Sequence, residues 1–454
     1  MLDSRFHLSA KLQRFYVFLK PSSHSIIHKL PAQALPISAL PAVLLSRRRL
    51  SLFPNISRDG LEDIFVIVRT GSNEVEQKLG YTLNTTLRGV PRYGIWSDLE
   101  ESYAGHHIEN ALDEIDPDLV KNHPDFEYYR RLQEHGKDGF SEEELIRWSQ
   151  APNSPIGRDT PAWKLDKVDK TNIWKFLPVA KKAYLRSPSS PWYLFLECDT
   201  YVFWDSLLAF LSHFDSNHPF YIGRQLHSGA TIFAYGGAGI LISNPAMKML
   251  VEHYTSNLQA YNELTIEKWY GDLILAMAMF DAGVDLTDAW PSLEGDMPAT
   301  LDVASKGAGH RLWCYYATTY HHMTPKDIVQ YQEFEISWRL TNSDFPRTGD
   351  VFRHLVHPHM SPEISDWDNF STQMASENAT FEECHQICEE ASDCKQFSLS
   401  DTTCKTSEVV KLGKNQTSEQ SSAQPVRSGW IMRRVEALMG ATDASCSGQQ
   451  WKLP

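Results

Sequence analysis

Positive charge is scarce in this chain. Forty-three Lys and Arg stand against fifty-seven Asp and Glu, a formal charge of −14 over 454 residues. Such a balance argues against a nucleic-acid-binding surface, which needs basic side chains for phosphates. Long hydrophobic runs are equally scarce. The apolar patch from Leu35 to Leu45 is too short to span a bilayer, is broken by Pro36 and Pro41, and stops at Arg47, Arg48 and Arg49. No long internal repeat appears. Hydrophobic residues at 42% and charged residues at 22% are an ordinary globular balance, with room for more than one domain. Thirteen Trp and eighteen Tyr suit either large cores or stacking on sugars and bases.

Charge is distributed unevenly. Residues 1–50 carry eight Lys or Arg and a single acid, whereas Ser97 to Arg147 carries fifteen acids and five bases. The second block reads as a solvated helical face. The first is basic, Ser-rich and Pro-broken; it reads as a poor signal anchor, a transit-like segment or a misplaced start, and no fold is assigned to 1–58.

Seven cysteines leave at least one thiol unpaired or paired between chains. Four of them, Cys384, Cys388, Cys394 and Cys404, follow C-x3-C-x5-C-x9-C spacing. Together with sequons at Asn55, Asn84, Asn369, Asn378 and Asn415, they favour an oxidising lumen and a disulfide-stapled module. The spacing fits a zinc knuckle poorly. Three pairings of the four cysteines are open.

Strands and helices alternate along the middle of the chain. Buried strands are expected at Leu61 to Gly71, Gly94 to Glu101, Pro219 to Arg224 and Gly236 to Ser243. Helical spacing marks Asp166 to Arg186, Asn244 to Leu264 and Asp272 to Asp281. Ser102 to Asp159 reads as a polar insertion. The alternation implies an open α/β sheet.

The most informative stretch is Trp192 to Asp205. An apolar strand ends abruptly in Glu197, Cys198 and Asp199. Two carboxylates at the tip of a buried strand need a positive partner, and in an α/β sheet that tip faces the ligand crevice. A hard divalent cation holding a diphosphate is the economical explanation.

At these residues the chain resembles a Fringe-like glycosyltransferase of family 31, of the fungal type. The similarity runs from about Ile64 to Glu335. It is carried in order by FVIVRTG, IWSD, WYLFLECDTYVFWDSL, FAYGGAGILIS, YGDLILAMAMFDAGV and WCYYATTYHHMTPKDI. Asn369 to Arg434 resembles a PAN/Apple-like module.

The resemblance implies a GT-A fold over 59–365, a module over 366–440 and a tail over 441–454. It also implies a UDP-sugar donor, Mn²⁺ and inversion at the anomeric carbon. The expected product is a β-1,3 linkage on a glycan or glycoprotein acceptor, galactosyl- or N-acetylglucosaminyl-type. Members work in the secretory pathway, mostly as type II Golgi membrane proteins, and membrane attachment is left open here. A catalytically silent glycan- or protein-binding member is the alternative.

Residue roles follow from the same resemblance. Asp199 ligates the metal, with His321 or His322 from across the cleft. Glu197 stands in for an acid that many relatives carry as Asp. Asp272 is the general base, although an Asp opening an apolar helix is equally a helix cap. Arg69, Thr70, Asp98, Glu197, Gly236, Gly237 and Gly239 line the nucleotide-sugar site. Trp313 is expected to be structural, with a possible second role as an acceptor wall.

Overall fold

A computed structural model describes residues 59–141, 143–144, 167–416, 425–448 and 451–453. The basic N-terminal segment, its apolar patch and the sequon at Asn55 lie outside the described residues.

An eight-stranded sheet organises the chain: β1 (Ile64–Arg69), β2 (Tyr93–Ser97), β3 (Glu101–Tyr103), β4 (His106–Asn110), β5 (Trp192–Glu197), β6 (Tyr221–Gly223), β7 (Ile240–Ser243) and β8 (Leu286–Asp288). Their spatial order is β8-β6-β7-β5-β1-β2-β4-β3. β1 runs parallel to β2 and β5, while β7 lies antiparallel to β5 and β6. The parallel-rich sheet is consistent with a GT-A-like fold.

The unbroken apolar runs follow from burial on both faces. Phe65, Ile67, Tyr193 and Phe195 point into one core. That core also holds α1 (Phe176–Arg186), α2 (Asn244–Ser256) and α3 (Gly271–Asp281). Ile64, Val66, Val68, Leu194 and Leu196 point into the other core, closed by Trp204, Leu207 and Phe210. The period-2 alternation of a strand therefore fills two cores from one sequence.

Local boundaries differ from the sequence reading where chain geometry intervenes. Leu61–Asp63 is a 3-10 turn ahead of β1. The expected helix from Asn244 to Leu264 is two helices, α2 and Leu258–Glu267. The polar insertion contributes β3 and β4 to the sheet edge and the helix Glu127–His135.

The C-terminal region builds a separate five-stranded sheet against α4 (Phe381–Glu390). It begins with strand Ile364–Ser365, earlier than Asp366, because that strand pairs with Val426–Trp430. Its cysteines pair Cys384–Cys404 and Cys388–Cys394, which removes zinc as their partner. A third disulfide, Cys314–Cys446, ties the chain beyond α5 (Met432–Ala444) to the segment ahead of the paired histidines. Cys198 is the free cysteine and is buried.

One further expectation is modified. Asn84, Asn378 and Asn415 are exposed, but Asn369 is fully buried, its amide donating to the Phe397 and Gly429 carbonyls. Asn369 is therefore a structural asparagine and not an open glycosylation acceptor. Among the described residues, no helix is long and apolar enough to cross a membrane.

Candidate active site

The site is assembled where β5 and β1 end and β7 begins. Because β7 runs antiparallel to β5, the Gly236–Ala238 turn that precedes it lies beside the carboxyl end of β5. The β1–β5 register sets Arg69 opposite Glu197, and an Arg69 Nη2 donates to Glu197 Oε1 at 2.5 Å. The Arg69 guanidinium also lies 3.5 Å from the Phe176 ring centroid. Glu197 thus gains a fixed cationic partner from the neighbouring strand.

Three loops are stitched together around the carboxylates. Thr200 Oγ1 donates to the Gly237 carbonyl at 3.0 Å, and Thr319 Oγ1 donates to the Ala238 carbonyl at 2.6 Å. The Met323 amide donates to the Asp199 carbonyl at 3.1 Å. These bonds bring the paired histidines over Asp199. His321 Nε2 is 3.0 Å from Asp199 Oδ1 and 3.1 Å from Glu197 Oε2. Gly237 is needed for this approach, since a Cβ there would fall 2.2 Å from His321 Nδ1.

Electrostatics follow from burial and pairing. Burial opposes charge on His321, but Asp199 and Glu197 outweigh it and lift the imidazole to about 10. Burial likewise raises Glu197, yet His321 and Arg69 bring it down to about 2. Asp199 is held well below the usual carboxylate range, mainly by His321 and Lys78 against its burial. His322, in a left-handed conformation at φ 59°, is pushed down by burial and by His321.

Asp272 sits one residue inside α3. Gly271 makes this possible: a Cβ there would meet Phe176 Cδ2 at 2.3 Å and the Ile173 carbonyl at 2.7 Å. Asp272 Oδ2 accepts from the Gly236 amide at 3.0 Å, and Oδ1 from the Leu273 amide at 2.9 Å. The side chain is half-buried, and desolvation raises it to about 6 despite those bonds. A Cβ on Gly236 would stand 3.5 Å from Asp272 Oδ2 and 3.6 Å from Glu197 Oε1, so the turn, the base candidate and the β5 tip are neighbours. Gly239, at φ 87°, serves the turn itself and packs on Leu194 and Leu196.

A Fringe-like family model matches residues 168–289. The matched segment carries Glu197, Asp199, Gly236, Gly237, Gly239 and Asp272, and ends before His321 and His322. No curated protein matches the chain.

The donor set fits a divalent ion. Asp199, His321 and His322 each offer a ligand atom, all within 4.8 Å of one another. One carboxylate and two imidazoles are ligands that first-row divalent metals accept.

Other expected residues are placed differently. Asp98 is fully buried, with Oδ2 3.0 Å from Lys175 Nζ and Oδ1 accepting from the Ser72 amide at 2.8 Å. Lys175 also donates to the Thr70 carbonyl at 2.9 Å. Asp98 therefore braces the strand ends from beneath, and losing either member of that ion pair costs about 3–5 kcal/mol. Thr70 is buried, its hydroxyl directed at Cys198 Sγ. Trp313 is enclosed by Gly349, Phe352 and Arg353, and donates to Asp443 at 2.7 Å. What remains exposed of it lines a cleft with Trp338, Phe345 and Arg347, apart from the carboxylate cluster. Most of the Trp313 ring is taken up by a core shared with α5.

Three participants escaped the sequence reading. Tyr235 places its hydroxyl 3.2 Å from His321 Nδ1 and 3.3 Å from His322 Nε2. Lys78 donates to Asp199 Oδ2 at 3.1 Å and to Glu74 Oε1 at 2.6 Å. Glu74 and Lys78 do show i,i+4 spacing in the sequence, but that spacing usually marks a surface pair.

Proposed function

We propose that the protein is a metal-dependent inverting glycosyltransferase, moving a sugar from a UDP-sugar to a hydroxyl of a glycan or glycoprotein. One observation carries the reading: Asp272 and the Glu197–Asp199–His321 cluster meet through the Gly236 turn at the carboxyl end of a parallel-rich sheet. The Fringe-like match, which covers Glu197, Asp199, Gly236 and Asp272, supports it.

In this mechanism Asp272 accepts the proton of the acceptor hydroxyl as that oxygen attacks the anomeric carbon. The Gly236 and Leu273 amides fix its orientation. A carboxylate raised to about 6 is a stronger base than an ordinary one and is still ionised near neutrality. Attack opposite the departing diphosphate inverts the anomeric centre. Asp199, His321 and His322 would hold the divalent ion, which supplies Lewis-acid stabilisation of the leaving diphosphate. Arg69 and Glu197 keep the floor of the site rigid. We assign the product to a β-1,3 linkage of galactosyl- or N-acetylglucosaminyl-type, the location to the Golgi lumen, and residues 366–440 to a PAN/Apple-like recognition module.

The test is UDP release by the full chain from a panel of UDP-sugars with simple acceptors and Mn²⁺. At least one donor is expected to give metal-dependent release, which Asp199→Ala abolishes with its melting temperature retained. Normal turnover by that variant removes the metal assignment. The silent binding protein has one observation in its favour: both Asp199 oxygens already face cations, His321 and Lys78. UDP binding without turnover of any donor would select it.

A further inference from the structure

The acids of the cluster are Glu74, Glu197, Asp199 and, across the Gly236 turn, Asp272; its cations are Arg69, Lys78 and His321. Arg69 is committed to Glu197 and to the Phe176 face. His321 is committed to Asp199, Glu197 and Tyr235, and is almost fully buried. Lys78 differs from both. Its side chain is 25% exposed, against 9% for Arg69 and 5% for His321. It rides on the short helical turn Val75–Leu79, anchored by buried Val75 and Leu79. Glu74, one turn earlier, holds the ammonium at 2.6 Å and keeps it within the site. A lysine suits exchange between acceptors, having a flexible four-carbon stem and three donors.

We propose that Lys78 is an exchanging cation of the donor site. It holds Asp199 while that carboxylate carries no metal, and turns to the phosphate oxygens of a nucleoside diphosphate once a divalent ion takes Asp199. The inference rests on the transferase reading above. Its logic is charge balance. A divalent ion and an ammonium 3.1 Å from the same carboxylate oxygen repel one another, so metal entry releases Lys78 from Asp199. The diphosphate brings the anion that the released ammonium then pairs with. Lys78 would in this way couple metal entry to donor binding.

The two halves of the exchange predict effects of opposite sign. Mn²⁺ binding by the full chain is followed by electron paramagnetic resonance, and UDP binding by calorimetry in saturating Mn²⁺. Lys78→Met is expected to bind Mn²⁺ alone several-fold tighter and UDP about tenfold weaker, whereas Lys78→Arg keeps UDP affinity within about threefold. Unchanged UDP affinity in Lys78→Met, or weaker Mn²⁺ binding without nucleotide, overturns the proposal.

A second measurement uses the wild type and is independent of whether Lys78→Met folds. Amine labelling of Lys78, read by peptide mass mapping, should rise with Mn²⁺ alone and fall when UDP joins it. Labelling that ignores both additions overturns the proposal. If the wild type binds neither Mn²⁺ nor UDP, the transferase reading falls too. If it binds both and Lys78→Met behaves identically, only the role of Lys78 falls.

Discussion

Asp272 combines a helix-start position with the proposed role of base. An acid in the first turn of a helix is stabilised by the orphan amides and the helix dipole, which favour its ionised form. Among the described residues, its own neighbour Leu273 and the Gly236 amide donate to it. Desolvation outweighs both and leaves the group raised to about 6. Its place beside the Gly236 turn, with Glu197 on the other side of that turn, supports the proposed base role. Asp272→Asn is expected to lower the transfer rate about 10²- to 10⁴-fold while leaving UDP affinity unchanged, since general-base removal costs that much. Lost UDP affinity instead would point to a structural role. The base must be ionised, so the wild-type rate should fall as pH drops through about 6 and level off above it. A rate–pH profile with no rising limb near that value contradicts the assignment.

At the scale of elements, the site depends on how closely backbones approach. The apolar runs of β1 and β5 were legible because burial on both faces writes itself into the sequence, and the acids at the β5 tip stood out against them. The pairing of Arg69 with Glu197 was not legible, since parallel register between residues 128 apart leaves no local pattern. The same holds for Asp98, whose Lys175 partner sits just ahead of a helix far along the chain. A strand-tip position alone does not reveal the buried ammonium beneath Asp98.

The glycines around β7 could be noticed in the sequence but not interpreted there. Gly237 is now specific: its bare Cα is where His321 rests. Gly237→Ala should weaken Mn²⁺ binding at least tenfold and destabilise the fold by about 1–3 kcal/mol, the usual range for overpacking. Gly440→Ala is the contrasting case. It lies in α5 with nothing within 4 Å of a new Cβ, and should stabilise by about 0.5–1 kcal/mol. Calorimetric melting and metal titration of the two variants measure both effects.

At the scale of the molecule, the stapled C-terminal region is no detached appendage. The sequence marked its four clustered cysteines, but not that Cys314 and Cys446, 132 residues apart, join each other. Trp313, Phe352 and Val356 share one core with Trp430, Val435 and Met439. Arg353 pairs with Asp443, and past α5 Lys452 reaches Asp288 at 2.5 Å. The stretch carrying His321 and His322 starts seven residues beyond Cys314, so the clasp anchors the root of that loop. Closing a long loop restricts the unfolded chain, and a native disulfide of this kind contributes about 2–4 kcal/mol. Replacing both cysteines, Cys314→Ser with Cys446→Ser, should therefore lower the melting temperature by several degrees. Because the shared core and the ion pairs remain, UDP affinity in Mn²⁺ should change by less than about threefold. A large loss of UDP binding below the melting transition would mean that the clasp itself sets the position of the histidines, and that the shared core does not.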